Sequence, residues 1–293
     1  MGIPPKRYSS PMTGDPLSDR VVTVVLAALT LFVFVLCLPG APAAPPSLTP
    51  RQTVQVQAPT VLLEEGGMVL DRQPWSWEGR SGTAWRARVP LSGSASVVPS
   101  SQVVPFASLL PAEPGPWAAI NGGFYEAGAM GLVVASGVEH TALTPRGGSG
   151  VFQFGPQGAS ILHRDSWQAG APEALQSIDR LVDQGRNLVK RREGAALAAR
   201  SAVVVGTDAL WLVALAEDDS VAEVEPGGAR LRGTSGRGLP LWAFAAYLVE
   251  QCGAQEALNL DGAISTQLAA RTSLGSFDLR GEAGTINALV LRP

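Results

Sequence analysis

Residues Ala202–Ala216 read AVVVGTDALWLVALA, two apolar runs parted by Gly206-Thr207-Asp208. Short runs rich in valine and leucine, joined by a glycine-containing polar turn, form a β-hairpin. The chain on either side repeats the pattern. Upstream, AWRARVPL (Ala84–Leu91) alternates, with Trp85, Ala87 and Val89 on one face and the arginines on the other. TVQVQ from Thr53, SASVVPS, WAAI (Trp117–Ile120), GLVVASG (Gly131–Gly137), GVFQF (Gly150–Phe154) and ASILH are further short strands. Downstream, EALNL (Glu256–Leu260) is a strand and NALVLR (Asn287–Arg292) closes the sheet. Strands spaced by roughly ten residues predict a mixed, largely antiparallel sheet.

Two helices are expected beside it. The first covers Pro172–Asp183, with proline in its first turn, Gly185 as its stop and a stripe of Leu175, Ile178, Leu181 and Val182. The second covers Pro240–Cys252 and stops at Gly253; its stripe is Leu241, Phe244, Ala245, Leu248, Val249 and Cys252. The fold class predicted is therefore α+β: a mixed, largely antiparallel sheet with two main helices. It forms one domain over residues 53–293, after an N-terminal membrane segment.

Composition agrees with a turn-rich sheet. The 33 glycines and 23 prolines argue against a helical bundle, and 46% hydrophobic residues supply a core. A net charge of −3 carries no basic surplus, which argues against nucleic acid as a partner. Residues 1–20 are a polar leader. Val21–Leu38 (VVTVVLAALTLFVFVLCL) is uncharged and comes after Lys6, Arg7 and Arg20. As a helix it spans about 27 Å, close to the thickness of a hydrocarbon core. Ala41-Pro42-Ala43 resembles a cleavage site. Two readings stay open, a cleaved signal peptide and a retained membrane anchor. Either one exports the rest of the chain, as a periplasmic, secreted or membrane-anchored domain outside the cytoplasm. Residues 39–52 are a Pro/Ala-rich linker. Cys37 and Cys252 are far apart, and Cys252 reads as core. His140 and His163 are too isolated for a zinc site.

Two segments read as more than scaffold. After the strand ending at Ile120 comes Asn121-Gly122-Gly123, where glycines let backbone approach a ligand. The strand EALNL delivers Asn259 and Asp261 to one side, and Gly262, Ser265 and Thr266 come next. The plainer reading of each is an ordinary turn. The ends at Ile120 and Leu260 are expected to be neighbours in the sheet, with Asn121 and Asp261 facing one pocket.

Taken together, INGGFY (Ile120–Tyr125), GLVVASG, NLDGAIST (Asn259–Thr266) and the closing NALVLR resemble the phosphodiester glycosidase family over about residues 84–293. QSIDRLVDQG (Gln176–Gly185) sits where the family has Gln-Ser-Gly-Pro-x-Leu-x-x-x-Gly. ARSAV (Ala199–Val203) sits where it has Ala-Arg-Thr-Ala. The chain departs at Ala263-Ile264, which replace two glycines, at Ile178-Asp179 for Gly-Pro, and at Ser201 for threonine.

The resemblance implies a hydrolase cleaving sugar 1-phosphodiesters between the anomeric carbon and the phosphate oxygen, in surface polysaccharide or glycan metabolism. Of the residue types present, Asp261 suits the carboxylate acting as base or nucleophile, and Glu126 is the second candidate. Arg200 suits the phosphate, because its fork matches two phosphate oxygens. Asn121, the amides of Gly122 and Gly123, and Gly262, Ser265 and Thr266 are expected to hold phosphate or sugar hydroxyls. Glu126 also reads as a solvated loop charge, and Arg200 as half of a surface ion pair. No cofactor is required. Asp261, Glu126 and Asn121 carry oxygens that suit a hard divalent cation, but their spacing does not demand one. A rival reading keeps the glycan phosphodiester as a ligand without cleaving it, in exopolysaccharide assembly. A serine hydrolase using Ser265 is disfavoured, since no Gly-x-Ser-x-Gly elbow is present.

Overall fold

A computed structural model describes residues 53–191, 195–225, 227–231 and 237–293. The leader, the apolar run Val21–Leu38 and the linker 39–52 lie outside the described residues. The predicted hairpin sits mid-sheet, as antiparallel strands Arg200–Gly206 and Ala209–Glu217. Around it a nine-stranded sheet runs in the order Gln55–Val56, Met68–Trp77, Arg80–Pro90, Ala209–Glu217, Arg200–Gly206, Ala254–Asn259, Arg180–Asp183, Arg186–Asn187. Thr60–Glu65 also pairs with Met68–Trp77.

A seven-stranded sheet has the order Val221–Glu225, Gly228–Leu231, Gly275–Arg280, Leu268–Thr272, Trp117–Asn121, Thr285–Arg292, Ser94–Val104. A five-stranded sheet has the order Gly158–His163, Gly150–Gly155, Glu173–Ser177, Val133–Ala135, Val138–Thr141. The pairing of Gly228–Leu231 with Gly275–Arg280 is parallel; the other pairings among the described residues are antiparallel.

The period of two sorts side chains into two layers. Trp85, Ala87, Val89, Val203, Leu210 and Leu212 enter a core shared with Ile120 and Leu289 of the seven-stranded sheet and Phe152 of the five-stranded sheet. Their neighbours Ala202, Val204, Trp211 and Val213 face the other way, onto an α-helix. Burial of these layers is the main source of stability.

The expectation of two main helices is overturned: the described residues are mostly strand and contain one α-helix, Leu241–Cys252. That helix matches its prediction. Pro240 precedes it, and Gly253 adopts the left-handed conformation (φ +57°) with its amide on the Leu248 carbonyl. The helix expected at Pro172–Asp183 is instead two strands, Glu173–Ser177 and Arg180–Asp183, in different sheets. The cause is Gln176. Its buried amide accepts from the Leu132 and Thr144 N–H groups and donates to the Thr144 and Gly148 carbonyls. These long-range bonds override the helical spacing of Leu175, Ile178 and Leu181.

Arg86, on the face opposite Trp85, is buried. It holds Asp71 through Nε (2.8 Å) and Nη2 (3.0 Å), and Gln73 through Nη1 (2.8 Å). Cys252 is buried beside it, and burial pushes its thiol up to about 12. Among the described residues, no helix is long and apolar enough to cross a membrane.

Candidate active site

The strands Trp117–Asn121 and Ala254–Asn259 lie in different sheets, so Ile120 and Leu260 are not the sheet neighbours expected. Their turns nevertheless meet. Asn121 Nδ2 donates to the Asp261 carbonyl (2.7 Å), and the Asp261 amide donates to the Gly122 carbonyl (3.0 Å). Asn121 is fully buried, and its Oδ1 accepts from Ser201 Oγ (2.8 Å) and the Gln267 amide (3.0 Å). Its side chain therefore ties three segments together rather than facing a pocket. The hydroxyl kept at Ser201 is the one that holds it.

Gly122 and Gly123 also differ from expectation. The Gly122 amide bonds the Asn287 carbonyl and the Gly123 amide bonds Asn287 Oδ1, each at 2.9 Å. Neither amide is turned to a ligand. A Cβ at Gly122 would lie 1.7 Å from Asn287 Oδ1, so glycine is required there for close packing. Gly262 is held likewise: a Cβ would lie 2.7 Å from the Ala199 carbonyl.

Asp261 is half-buried at the head of the turn formed by Ala263–Ser265. Burial raises its carboxyl above the usual range, while the Ser265 hydroxyl and Gly262 amide pull it back. Tyr125 adjoins it. Burial and then the Asp261 charge push the phenol up, Ser265 lowers it, and the phenol donates to the Gly284 carbonyl (2.9 Å). Asp261, Ser265 and Tyr125 thus form one cluster. Tyr125 comes directly after the INGGF motif, and that adjacency is the sequence signal for it. Ser265 is buried, and Thr266 is fully buried with its hydroxyl unpartnered.

Glu126 is exposed and paired with exposed Arg146 at 2.7 Å. Of the three oxygens considered for a cation, Asn121's is engaged and Glu126's is in this pair. Arg200 is half-buried. Its Nε bonds the Leu239 carbonyl (2.9 Å), its Nη2 bonds the Ala196 carbonyl, and burial lowers it to about 10 against the pull of Asp179.

Ala263 stands at φ +53°, in the left-handed region that favours glycine. This is the physical content of the departure from the glycine pair. Ala263→Gly is expected to raise stability by about 0.5 kcal/mol, the relief of strain slightly exceeding the entropy a glycine adds to the unfolded chain. A thermal melt showing destabilisation would contradict this.

The profile of the family described as phosphodiester glycosidase matches residues 115–290, more than half of the chain. The chain belongs to the phosphodiester glycosidase family. That family comprises hydrolases of glycosyl phosphodiesters. The matched region holds the Asn121 and Asp261 turns, Arg200 and the helix Leu241–Cys252. No curated protein matches the chain. Among solved structures, a hypothetical protein from Synechocystis shares the fold with a TM-score of 0.53 at 16% identity. The match covers 81% of this chain and 64% of that one, under two thirds of its length. The zebrafish N-acetylglucosamine-1-phosphodiester alpha-N-acetylglucosaminidase catalytic domain, auto-inhibited by its pro-peptide, matches with a TM-score of 0.53 at 16% identity. It covers 82% of this chain and 88% of that one. These two likenesses show a shared fold.

Proposed function

We propose that this phosphodiester glycosidase hydrolyses sugar 1-phosphodiesters at the Asp261 turn, outside the cytoplasm, in surface polysaccharide or glycan metabolism. The observation that carries the reading is the half-buried Asp261 carboxyl where the ends of two sheets meet, with Ser265 and Tyr125 on it. The Asp261 carboxylate takes a proton from the attacking water. The water oxygen bonds the anomeric carbon, and the bond from that carbon to the bridging oxygen breaks. A phosphomonoester leaves with the electron pair. Because that leaving group is already weakly basic, little general acid is demanded. Arg200, on the strand beside the Asp261 turn, supplies the positive charge for the phosphodiester anion. No step uses a cofactor.

Glu126 is left out of this scheme, because its ion pair with Arg146 is solvated. Export rests on the uncharged run Val21–Leu38. The test is incubation with chromogenic sugar-1-phosphodiesters, beside a chromogenic carboxylic ester. Release from the phosphodiester alone supports the reading. Tight binding of the phosphodiester without turnover would instead leave a glycan-phosphate-binding protein.

A further inference from the structure

We propose that Asp179 and Asn259 form a sugar-hydroxyl subsite next to Arg200, on the helix-facing side of the nine-stranded sheet. The proposal deepens the glycosidase reading and rests on it for the position of the phosphate.

The register fixes the placement. Arg180 pairs with Leu258, and the Asn259 amide donates to the Asp179 carbonyl (2.9 Å), so Asp179 and Asn259 stand opposite each other. Asn259 also pairs with Ala202, two residues from Arg200. By the period of two, Asn259 and Arg200 share the face of Ala257 and Ala202, which pack toward the helix. Arg200 agrees with this face by bonding the carbonyl of Leu239, just before the helix. Asp179 shares it too, because directly opposed residues of an antiparallel pair point the same way.

The chemistry then selects the ligand. Asn259 is 4% exposed, and its Oδ1 is buried with no hydrogen-bond partner. The Asp179 carboxyl has no hydrogen bond or contact ion pair among the described residues; the charge it feels is that of Arg200. Both groups are acceptors that lack a protein donor; Asn259 Oδ1 is buried, where that is costly, and Asp179 is a half-buried carboxyl beside it. A phosphate oxygen offers no proton and would leave both unsatisfied. A sugar ring offers several hydroxyl donors. The sugar therefore lies on Asp179 and Asn259, with its phosphate toward Arg200. Asp179 acts as a substrate-contacting specificity residue.

The test separates the sugar from the phosphate. Binding of methyl glycosides of glucose, galactose, mannose and N-acetylglucosamine is measured by saturation-transfer NMR, and of inorganic phosphate by calorimetry. At least one neutral glycoside is expected to bind the wild type. Asp179→Ala is expected to weaken that glycoside by about tenfold or more, and inorganic phosphate by less than about twofold. Asp179→Asn keeps the shape and decides the matter if the alanine variant fails to fold. A wild type that binds no neutral glycoside, consistent with ordered water only, overturns the proposal. So does a variant that loses phosphate and glycoside equally. Phosphodiester turnover is read separately, so failure of the hydrolytic reading shows as absent turnover with glycoside binding intact.

Discussion

Asp261→Asn is expected to lower turnover of a glycosyl phosphodiester by about three orders of magnitude, since losing a principal catalytic carboxylate raises the barrier by roughly 4–5 kcal/mol. The same change is expected to leave the melting temperature at neutral pH unchanged or raised. The sign comes from burial, which raises the Asp261 carboxyl in the folded state. The folded chain then holds the proton more tightly than the unfolded chain. That contribution to stability is complete below the ordinary carboxyl range and is lost as pH climbs through the raised value. At neutral pH the ionised carboxylate is a burden that asparagine removes.

The acidic limb of kcat/KM reports the same group and should lie above the ordinary aspartate range. Ser265→Ala removes a group that favours the ionised form, so the limb should move further up. Full activity in Asp261→Asn would sink the mechanism, and a limb that moves down in Ser265→Ala would remove Asp261 as the titrating base.

The strands are legible in the sequence because each is local. Trp85, Ala87 and Val89 alternate in the sequence and alternate into the core. The helix ending at Gly253 is legible because proline and glycine punctuate it. Pro172–Asp183 reads as a helix because four apolar residues fall at helical spacing. Nothing local shows that the Gln176 amide will bind backbone groups of Leu132, Thr144 and Gly148. The site divides the same way. Asp261 stands out because a strand end with glycine after it is a local pattern. Choosing between carboxyls is not a local problem. Glu126 follows a glycine pair and Asp179 falls within the stretch that reads as a helix, and neither setting shows the residue's partner. Register alone sets Asp179 against Asn259, while Glu126 meets Arg146 in solvent. Ser201, 80 residues from Asn121, likewise gives no sign of being its partner.

Asn121→Ala is expected to cost about 3–5 kcal/mol of stability, because it strands three groups at once. The Ser201 hydroxyl and the Gln267 amide lose their acceptor, and the Asp261 carbonyl loses its donor, in a place with no exposure to water. For a domain of this size that corresponds to a fall in melting temperature of roughly 10 °C. Asn121→Asp separates the two halves of the role. A carboxylate still accepts from Ser201 and Gln267 but donates nothing to Asp261, and it places a charge in a buried site. It should therefore destabilise at neutral pH and recover in part at acid pH, where the protonated carboxyl can donate to the Asp261 carbonyl. Had Asn121 been a substrate ligand, both variants would keep their melting temperature and raise KM. A clamp predicts the reverse: a lower melting temperature, with the folded fraction keeping a KM near that of the wild type. Thermal melts and kinetics on the same preparations distinguish the two outcomes.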